Sequence, residues 1–287
     1  MTDTKVPSRV FRGAKQEAEA ARAQLSTPQT EHPAYRLAFQ DMEFLLREDL
    51  RPVRFQLELL KPSLLLDEAN IASTFVIYGS ARIPEPDKAE MLLDLAQDDK
   101  SRAIAERIVA KSQYYNVARE LAFNASQFPD DVNGKRHFVV CSGGGPSIME
   151  AANRGANEAG AESIGLNIVL PHEQAPKPYV TPSLSMQFHY FALRKMHFLL
   201  RARAVAVFPG GFGTFDESFE LLTLIQTGKI EPIPVLFYGR EFWDRVVNWD
   251  ALVEEGVISE RDLDLITFVE TAEEGWNVVK KFYEDRK

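Results

Sequence analysis

One stretch of the sequence, residues 205–217, constrains the fold more than any other, because it combines a strand, a turn and the start of a helix. Its first residues, from Val205 to Phe208, are all apolar and indicate a buried strand. A proline and three glycines then interrupt the strand, and Thr214 and Glu217 have the spacing of a helix start. A strand that runs through a glycine-rich turn into a helix can hold a phosphate group, because the turn leaves backbone N–H groups unpaired and the helix N-terminus carries partial positive charge.

Short apolar runs alternate with helical patterns through most of the chain. The expected strands are residues 74–78, 137–141, 163–170, 204–208, 234–237 and 265–269, and the expected helices are residues 88–127 in two pieces, 146–159, 188–201, 214–227, 241–254 and 271–283. This alternation predicts an α/β fold of the Rossmann-like type, in which a parallel sheet is covered by helices on both faces. Such sheets bind ligands beyond the carboxyl ends of their strands. Gly79, Gly143 and Gly210 follow predicted strands, so we expect the site at that edge.

The N-terminal part of the chain does not share this alternation. Residues 1–30 are mostly polar and predict a disordered tail, whereas residues 31–70 carry apolar side chains at helical spacing and predict a helical extension. Pro52 and Pro62 interrupt the helical pattern, so we expect two short helices there. Residues 71–287 are then predicted to form a Rossmann-like, nucleotide-binding catalytic domain.

The composition limits the partners and the compartment. A net charge of −9 disfavours binding to nucleic acid or to a membrane surface, although an acidic protein can still carry a locally positive site. Cys141 is the single cysteine, which rules out a framework of intrachain disulfides and suits a reducing compartment. The N-terminus has no apolar signal segment, and no apolar run is long enough to span a membrane. We therefore expect a cytoplasmic protein.

A second glycine-rich turn, from Ser142 to Gly145, follows the expected second strand. It lacks the dinucleotide-binding fingerprint, because Ile148 stands where the third glycine would be and the next strand ends without a ribose-binding acid. The sequence also lacks a Walker A P-loop, so we expect neither NAD binding nor ATP hydrolysis. Two interpretations of the turn remain: a phosphate-binding loop, or a tight strand–helix connection that needs glycine only for its shape.

The expected helix 188–201 carries several polar side chains at alternating spacings of three and four. These are Gln187, Tyr190, Arg194, His197 and Arg201, which would share one helical face. One interpretation is a solvated basic face. The other is that the helix, which directly precedes the strand 204–208, lets Arg194 or Lys195 reach the phosphate turn; His197 is interpreted as structural.

Glu217 has two interpretations of equal weight. Thr214 and Glu217 fit a capping box, which would explain both residues by helix stability alone. Alternatively, a carboxylate beside a phosphate site could hold ribose hydroxyls, position a water molecule or stabilise a developing positive charge.

The residues quoted so far resemble a known family. Residues 209–217 match PGGxGTxxE, the signature of the LOG (LONELY GUY) family, and Arg194-Lys195 matches the pair that accompanies it. The triple glycine 143–145 and Tyr78-Gly79-Ser80 also fit. The similarity covers roughly residues 72–240, and the N-terminal extension resembles that of the longer bacterial members.

This resemblance implies a phosphoribohydrolase, which cleaves the N-glycosidic bond of a nucleoside 5′-monophosphate, either AMP or a cytokinin nucleotide or both, to the free base and ribose 5-phosphate. By motif match, Arg194 and Glu217 would be the catalytic pair. The residues implied to bind the substrate are Gly79, Ser80, Gly143, Gly144, Gly145, Met149, Lys195, Pro209, Gly210, Gly211, Gly213 and Thr214. A homodimer or larger homo-oligomer is implied, with no metal ion and no cofactor.

Three further points qualify the resemblance. Ser147 replaces a glycine that related chains carry at the start of a helix, so its Cβ is expected to crowd a nearby substrate. Relatives have been labelled lysine decarboxylases, but the sequence signals neither a Schiff-base lysine nor a partner for the ring nitrogen of pyridoxal phosphate. The alternative function is a non-catalytic nucleotide or cofactor carrier on the same fold. A further expectation is that residues 171–179 form a mobile lid or an ordinary proline-stiffened loop.

Overall fold

The strands form one parallel sheet in the computed structural model, which describes residues 11–22, 24–171 and 177–286. Within these residues the sheet has seven strands in the order β4-β3-β2-β1-β5-β6-β7. The strands are β1 Thr74–Tyr78, β2 Val139–Ser142, β3 Ile164–Ile168, β4 Ser185–Phe188, β5 Ala202–Val207, β6 Val235–Tyr238 and β7 Thr267–Val269. Every pairing is parallel, which confirms the Rossmann-like α/β prediction.

The helices connect and cover these strands. They are α1 Ala14–Arg22, α2 Pro28–Glu31, α3 Met42–Leu45, α4 Arg51–Glu68, α5 Pro86–Asp94, α6 Asp99–Ser126, α7 Ile148–Glu158, α8 Phe191–Leu200, α9 Phe212–Gln226, α10 Arg240–Val246, α11 Trp249–Glu254, α12 Glu260–Leu263 and α13 Ala272–Glu284. Helices α6, α7 and α13 pack together on one face of the sheet. Helix α8 lies in the return connection from β4 to β5, and its Phe198 packs edge-on against the ring of Tyr78 in β1. No helix among the described residues has the length and apolarity needed to cross a bilayer.

The chain divides into two compact units, Met1–Leu57 and Glu58–Lys287. The described part of the first unit consists of short helices and 3₁₀ turns, and none of its residues is buried. The expected disordered tail lies partly outside the described residues, at 1–10 and 23, and residues 14–22 are helical. The boundaries drawn from sequence at 30 and 70 stay predictions.

Helix α4 corrects the expectation of two short helices, because it runs unbroken through both prolines. Pro52 lies in its first turn, where the missing N–H has no intrahelical partner to lose. Pro62 lies inside the helix and is buried. Since proline cannot donate a hydrogen bond, it leaves the carbonyl of Glu58 without its usual partner four residues on.

The sequence pattern also missed strand β4 and misplaced the helix after it. Gln187 and Phe188 belong to β4, and α8 begins only at Phe191. The strand is short, lies at the edge of the sheet and alternates buried with more exposed side chains, so it lacks the continuous apolar run of the inner strands. Gln187 therefore does not share a helical face with Arg194.

The order of the strands creates a crevice between β1 and β5. The chain passes from β1 through β2 and β3 to β4 on one side, and then returns to the other side of β1. Ligands bind at such a reversal, outside the carboxyl ends of the strands. Pairing continues past both strands there, since the N–H of Phe208 donates to the Tyr78 carbonyl at 2.9 Å and that of Ser80 to the Pro209 carbonyl at 3.1 Å.

Helix α7 begins at a strained residue. Ser147 precedes the helix with φ +64° and ψ −122°, a conformation that favours glycine and is costly for other residues. Its buried hydroxyl donates to the Ala81 carbonyl at 3.0 Å, which offsets part of that cost. The serine that departs from the family pattern therefore stands where the backbone requires a glycine. Its side chain contacts the segment after β1.

We predict that Ser147→Gly is more stable than Ser147→Ala by about 1 kcal/mol, although glycine is ordinarily the less stable of the two. Both variants lose the hydroxyl, but only alanine keeps a Cβ in the strained conformation. Urea unfolding of the two purified variants measures the difference. An alanine variant as stable as the glycine variant would show that the backbone is not strained.

Candidate active site

The glycine-rich turn after β5 presents free backbone donors at the start of α9. The helix begins at Phe212, and the residue that caps it is Gly211, which has no side chain. The N–H groups of Phe212, Gly213 and Thr214 meet no acceptor among the described residues. These donors and the partial positive charge of a helix N-terminus favour an anion at this position.

The glycines of this turn have different roles. A Cβ on Gly210 would collide with the side chain of Thr214, so glycine is required there for close packing. Gly211 and Gly213 have open space around them and are exposed, so a ligand can approach their backbone. Pro209 is buried beneath the turn, and Thr214 is buried beside it.

The capping-box interpretation of Thr214 and Glu217 is wrong. Because α9 begins at Phe212, Thr214 lies inside its first turn and not at the cap. The cap receives no side-chain hydrogen bond, and the carbonyl of Thr214 accepts from the Ser218 hydroxyl at 2.7 Å. Glu217 therefore lies on the second turn of the helix, where no capping role accounts for it.

Arg194 on α8 and Glu217 on α9 form a nearly buried ion pair. Nη1 of Arg194 donates to Oε1 of Glu217 at 3.2 Å, and the two side chains are only 10% and 13% exposed. Nε of Arg194 donates to the Leu166 carbonyl at 2.7 Å, which fixes the plane of the guanidinium group above the ring of Phe198. Nη2 has no acceptor among the described residues, so it can bind a ligand. The interpretation of this helix as a solvated basic face is therefore wrong for Arg194, which is buried.

Burial sets the charge state of Glu217. It raises the pKa of this carboxyl to about 7, since the charged form loses its hydration. Arg194 and Lys195 oppose this shift, whereas the neighbouring carboxylates of Asp216 and Glu220 add to it. A carboxyl with a pKa near neutrality can both take up and release a proton, as acid–base catalysis requires.

The triple glycine after β2 forms the other wall of the site. A Cβ on Gly143 would lie 2.6 Å from Nη2 of Arg194 and 2.7 Å from Sδ of Met149. One on Gly145 would lie 2.7 Å from the terminal carbon of Met149. These glycines are thus needed so that Arg194 and Met149 can approach the turn, which is more than a tight connection alone would require.

Gly144 has φ +71° and lies against a residue that the sequence did not single out, Asn167. The side-chain amide of Asn167 donates to the carbonyls of Gly165 and Met186, so it ties the turn to β3 and β4. The available signal was a polar residue inside the apolar strand β3. Ser142 and Asn153 form a similar buried support, with the Ser142 hydroxyl donating to Asn153 at 2.6 Å.

Gly79 and Ser80 directly follow β1 and contact the start of α7. A Cβ on Gly79 would lie 2.5 Å from Cγ2 of Ile148, and the carbonyl of Ser80 accepts from the Ile148 N–H. The hydroxyl of Ser80 accepts from the N–H of Arg82. Both residues thus lie at the crevice, beside Pro209.

Lys195 lies at the rim and is held by two carboxylates. Its Nζ is 3.0 Å from Asp216 Oδ1 and 3.1 Å from Glu220 Oε2. Burial lowers the pKa of Lys195, but these carboxylates raise it by more, so it lies above its ordinary value. Lys195 therefore offers a fixed positive charge next to Glu217.

The expected lid lies partly outside the described residues, which exclude 172–176. Lys177, the first described residue after this gap, directs its N–H at the Gly144 carbonyl at 3.5 Å. Metal chemistry has no obvious site: in the described part of the chain, no group of three or more His, Cys, Asp or Glu side chains could hold a metal ion.

The raised pKa of Glu217 predicts a pH-dependent cost to stability. The folded protein keeps this proton up to about pH 7, whereas the unfolded chain releases it near its ordinary pKa of 4.5. Between these values the folded state binds more protons, so its stability falls as the pH rises. Glu217→Gln removes the titration, and its stability relative to the native protein should improve by about 3 kcal/mol from pH 4 to pH 8.

Urea unfolding of both proteins at the two pH values measures this change. Glu231→Gln, which replaces an exposed carboxylate beyond the end of α9, is the matched control and should show no such gain. A Glu217→Gln variant with the same relative stability at both pH values would contradict the assigned environment.

The chain is similar to several known proteins. A family model described as possible lysine decarboxylase matches residues 149–279. The chain is 26% identical over 153 residues to the cytokinin riboside 5′-monophosphate phosphoribohydrolase LOG2 of Arabidopsis thaliana. This match covers 52% of this chain and 67% of that protein. It is also 26% identical over 177 residues to the cytokinin riboside 5′-monophosphate phosphoribohydrolase LOG3 of the same plant, and this match covers 61% of this chain and 76% of that protein.

A solved structure, the molybdenum cofactor carrier protein of Chlamydomonas reinhardtii, is 17% identical with a TM-score of 0.43. It covers 74% of this chain and 98% of its own. A likeness of this size supports no functional argument. The family model and the curated relatives agree with the motifs described above, so the chain is similar to LOG-type proteins over the matched residues.

Proposed function

We propose that the protein hydrolyses the N-glycosidic bond of a nucleoside 5′-monophosphate, AMP or an N6-modified cytokinin nucleotide, to the free base and ribose 5-phosphate. The observation that carries this proposal is the Arg194–Glu217 pair, nearly buried beside the unpaired N–H groups that begin α9. The curated LOG relatives are named for this activity, which supports the proposal at the level of the family.

The phosphate is assigned to the start of α9. The N–H groups of Phe212, Gly213 and Thr214 supply the donors, and the exposed backbone of Gly211 allows close approach. An anionic group such as a phosphate or a carboxylate is stabilised at this position both by hydrogen bonds and by the helix dipole. Binding here would orient the ribose toward the second turn of α9, where Glu217 lies.

Glu217 is proposed to act on the ribose and the attacking water. Hydrolysis breaks the bond from C1′ to the base nitrogen and forms a bond from C1′ to the water oxygen, while the base takes up a proton and the water loses one. Positive charge develops on the ribose in such a transition state, as in glycoside hydrolysis. An ionised Glu217 can stabilise that charge or accept the proton of the water, and its pKa of about 7 suits either role.

Arg194 is proposed to bind the phosphate or the departing base through Nη2. Its other two nitrogens are engaged by Leu166 and Glu217, so the free N–H groups are held in a fixed direction. A guanidinium group fixed in this way loses little freedom on binding. Gly143 and Met149 border the same nitrogen and would contact the bound nucleotide.

The remaining parts of the proposal concern the assembly and the compartment. We propose a cytoplasmic homodimer or larger homo-oligomer that needs no metal ion or cofactor and does not act on nucleic acid. The net charge of −9 disfavours nucleic acid as a substrate but allows a small anionic substrate at a locally positive site, and the buried single thiol of Cys141 suits a reducing compartment. Residues 71–287 are proposed to be the catalytic domain, and residues 31–70 a helical extension.

The direct test is incubation of the purified protein with AMP and with N6-isopentenyl-AMP, followed by measurement of the free base. We expect base release from at least one of them. Glu217→Gln should lower kcat at least about 100-fold, because the carboxylate is lost from the reacting centre. Glu231→Gln, the same chemical change at an exposed position, should keep full activity.

Absence of base release from any nucleoside monophosphate would contradict the proposed reaction. Binding of AMP without turnover, measured by calorimetry, would instead support the carrier function. Full activity in Glu217→Gln would show that the reaction takes place without this carboxylate.

A further inference from the structure

Helix α8 carries Arg194, and it is held at both ends by the last turns of α4. All of these residues belong to the second compact unit, Glu58–Lys287. At the N-terminal end of α8, the carboxylate of Glu58 accepts two backbone hydrogen bonds, from His189 at 2.8 Å and from Tyr190 at 3.2 Å. Each oxygen of the carboxylate takes one of them. Glu58 thus satisfies backbone donors next to the helix start, where a negative charge is favourable.

Among the described residues, no local side chain caps α8. The cap of α8 is Tyr190, whose side chain makes no capping hydrogen bond. The residues before it belong to strand β4 and pair with β3. The position of the first turn of α8 therefore depends on a carboxylate more than a hundred residues earlier in the chain.

At the C-terminal end of α8, Arg201 binds the same helix α4. Its guanidinium group donates to the Ser63 carbonyl at 3.1 Å, to Asp67 Oδ1 at 2.7 Å and to the Ile71 carbonyl. On α4, Glu58 and Asp67 are about 14 Å apart at 1.5 Å per residue, which is close to the length of α8. The two helices are thus joined at both ends.

Between these contacts, His197 packs against α4. The imidazole is buried, which lowers its pKa, while the carbonyls of Glu58 and Leu59 oppose that shift. Pro62 provides no N–H to the Glu58 carbonyl, which therefore lacks its usual donor within α4. Nε2 of His197 is buried and has no hydrogen-bond partner among the described residues.

The connection to the candidate site is short. The N–H of Tyr190 donates to Glu58, and the carbonyl of Tyr190 accepts from the N–H of Arg194 at 3.1 Å. A single residue thus links the carboxylate on α4 to the backbone of Arg194. Since Arg194 reaches Glu217 at 3.2 Å, a displacement of the first turn of α8 would lengthen that hydrogen bond.

We propose that Glu58 is a positioning residue, whose carboxylate fixes the first turn of α8 and thereby holds Arg194 against Glu217. The part of this proposal that concerns turnover rests on the proposed function. The part that concerns the ion pair does not, because the environment of Glu217 can be measured in a protein without activity.

The test compares Glu58→Ala and Glu58→Gln with the native protein and with Glu68→Ala, which removes an exposed carboxylate from the end of the same helix. The pKa of Glu217 is measured by NMR titration of its labelled side-chain carboxyl. Burial raises this pKa most, Arg194 and Lys195 on α8 lower it, and Asp216 and Glu220 on α9 add to the rise. When α8 shifts, the burial of Glu217 and its distance from the two positive charges both change, so Glu58→Ala should shift the pKa of Glu217 measurably from its native value.

Glu58→Gln keeps an oxygen acceptor and should give a smaller shift, and Glu68→Ala should give none. In the base-release assay, kcat of Glu58→Ala should fall about tenfold, with partial recovery in Glu58→Gln. Should Glu58→Ala fail to fold, Glu58→Gln alone decides. An unchanged Glu217 pKa in the folded variants would overturn the positioning role, whether or not the native protein releases base. A native protein without activity but with the predicted pKa changes would contradict only the proposed function.

Discussion

The ion pair between Arg194 and Glu217 is the interaction on which the rest of the site depends. Two charged groups are removed from water. Their mutual attraction does not fully offset the cost of burying the Glu217 carboxylate, since the pKa of this carboxyl stays raised to about 7. Such a group destabilises the folded protein above its ordinary pKa, so stability alone does not explain it. The arrangement is explained if the carboxylate and the free nitrogen of the arginine act on a ligand.

Several distant segments are needed to build this pair. The guanidinium group requires the Leu166 carbonyl from β3 and the missing Cβ of Gly143 after β2. Glu217 requires that α9 start at Phe212, so that its side chain faces α8 from the second turn. The crevice between β1 and β5 brings these elements together, because the strand order reverses there. The glycine-rich turn after β5, the ion pair and the glycine turn after β2 thus follow from one topology.

The sequence predicted the sheet and the edge of it at which the glycine turns lie, because glycine turns after apolar strands carry a local signal. It assigned equal weight to a capping role for Glu217, which the observed start of α9 excludes. It missed β4, an edge strand without a continuous apolar run, and it broke α4 at Pro62, which tertiary packing keeps helical. Such errors occur where long-range contacts override local preference.

The contact of Glu58 with α8 had no sequence signal at all. It joins residues more than a hundred positions apart through backbone N–H groups, which any residue type except proline provides. The same holds for Asn167, whose support of the Gly144 turn depends on the packing of β3 against β4. Sequence patterns identify groups that react or bind, whereas the groups that position them are identified by distance in the folded chain.

In the proposed function, one crevice holds a phosphate at the start of α9 and the ribose beside Arg194 and Glu217. A crystal structure of the Glu217→Gln variant soaked with AMP tests this arrangement. We expect the phosphate within hydrogen-bond distance of the N–H groups of Gly213 and Thr214, and C1′ of the ribose next to residue 217. A nucleotide bound elsewhere, or with its phosphate away from α9, would contradict it.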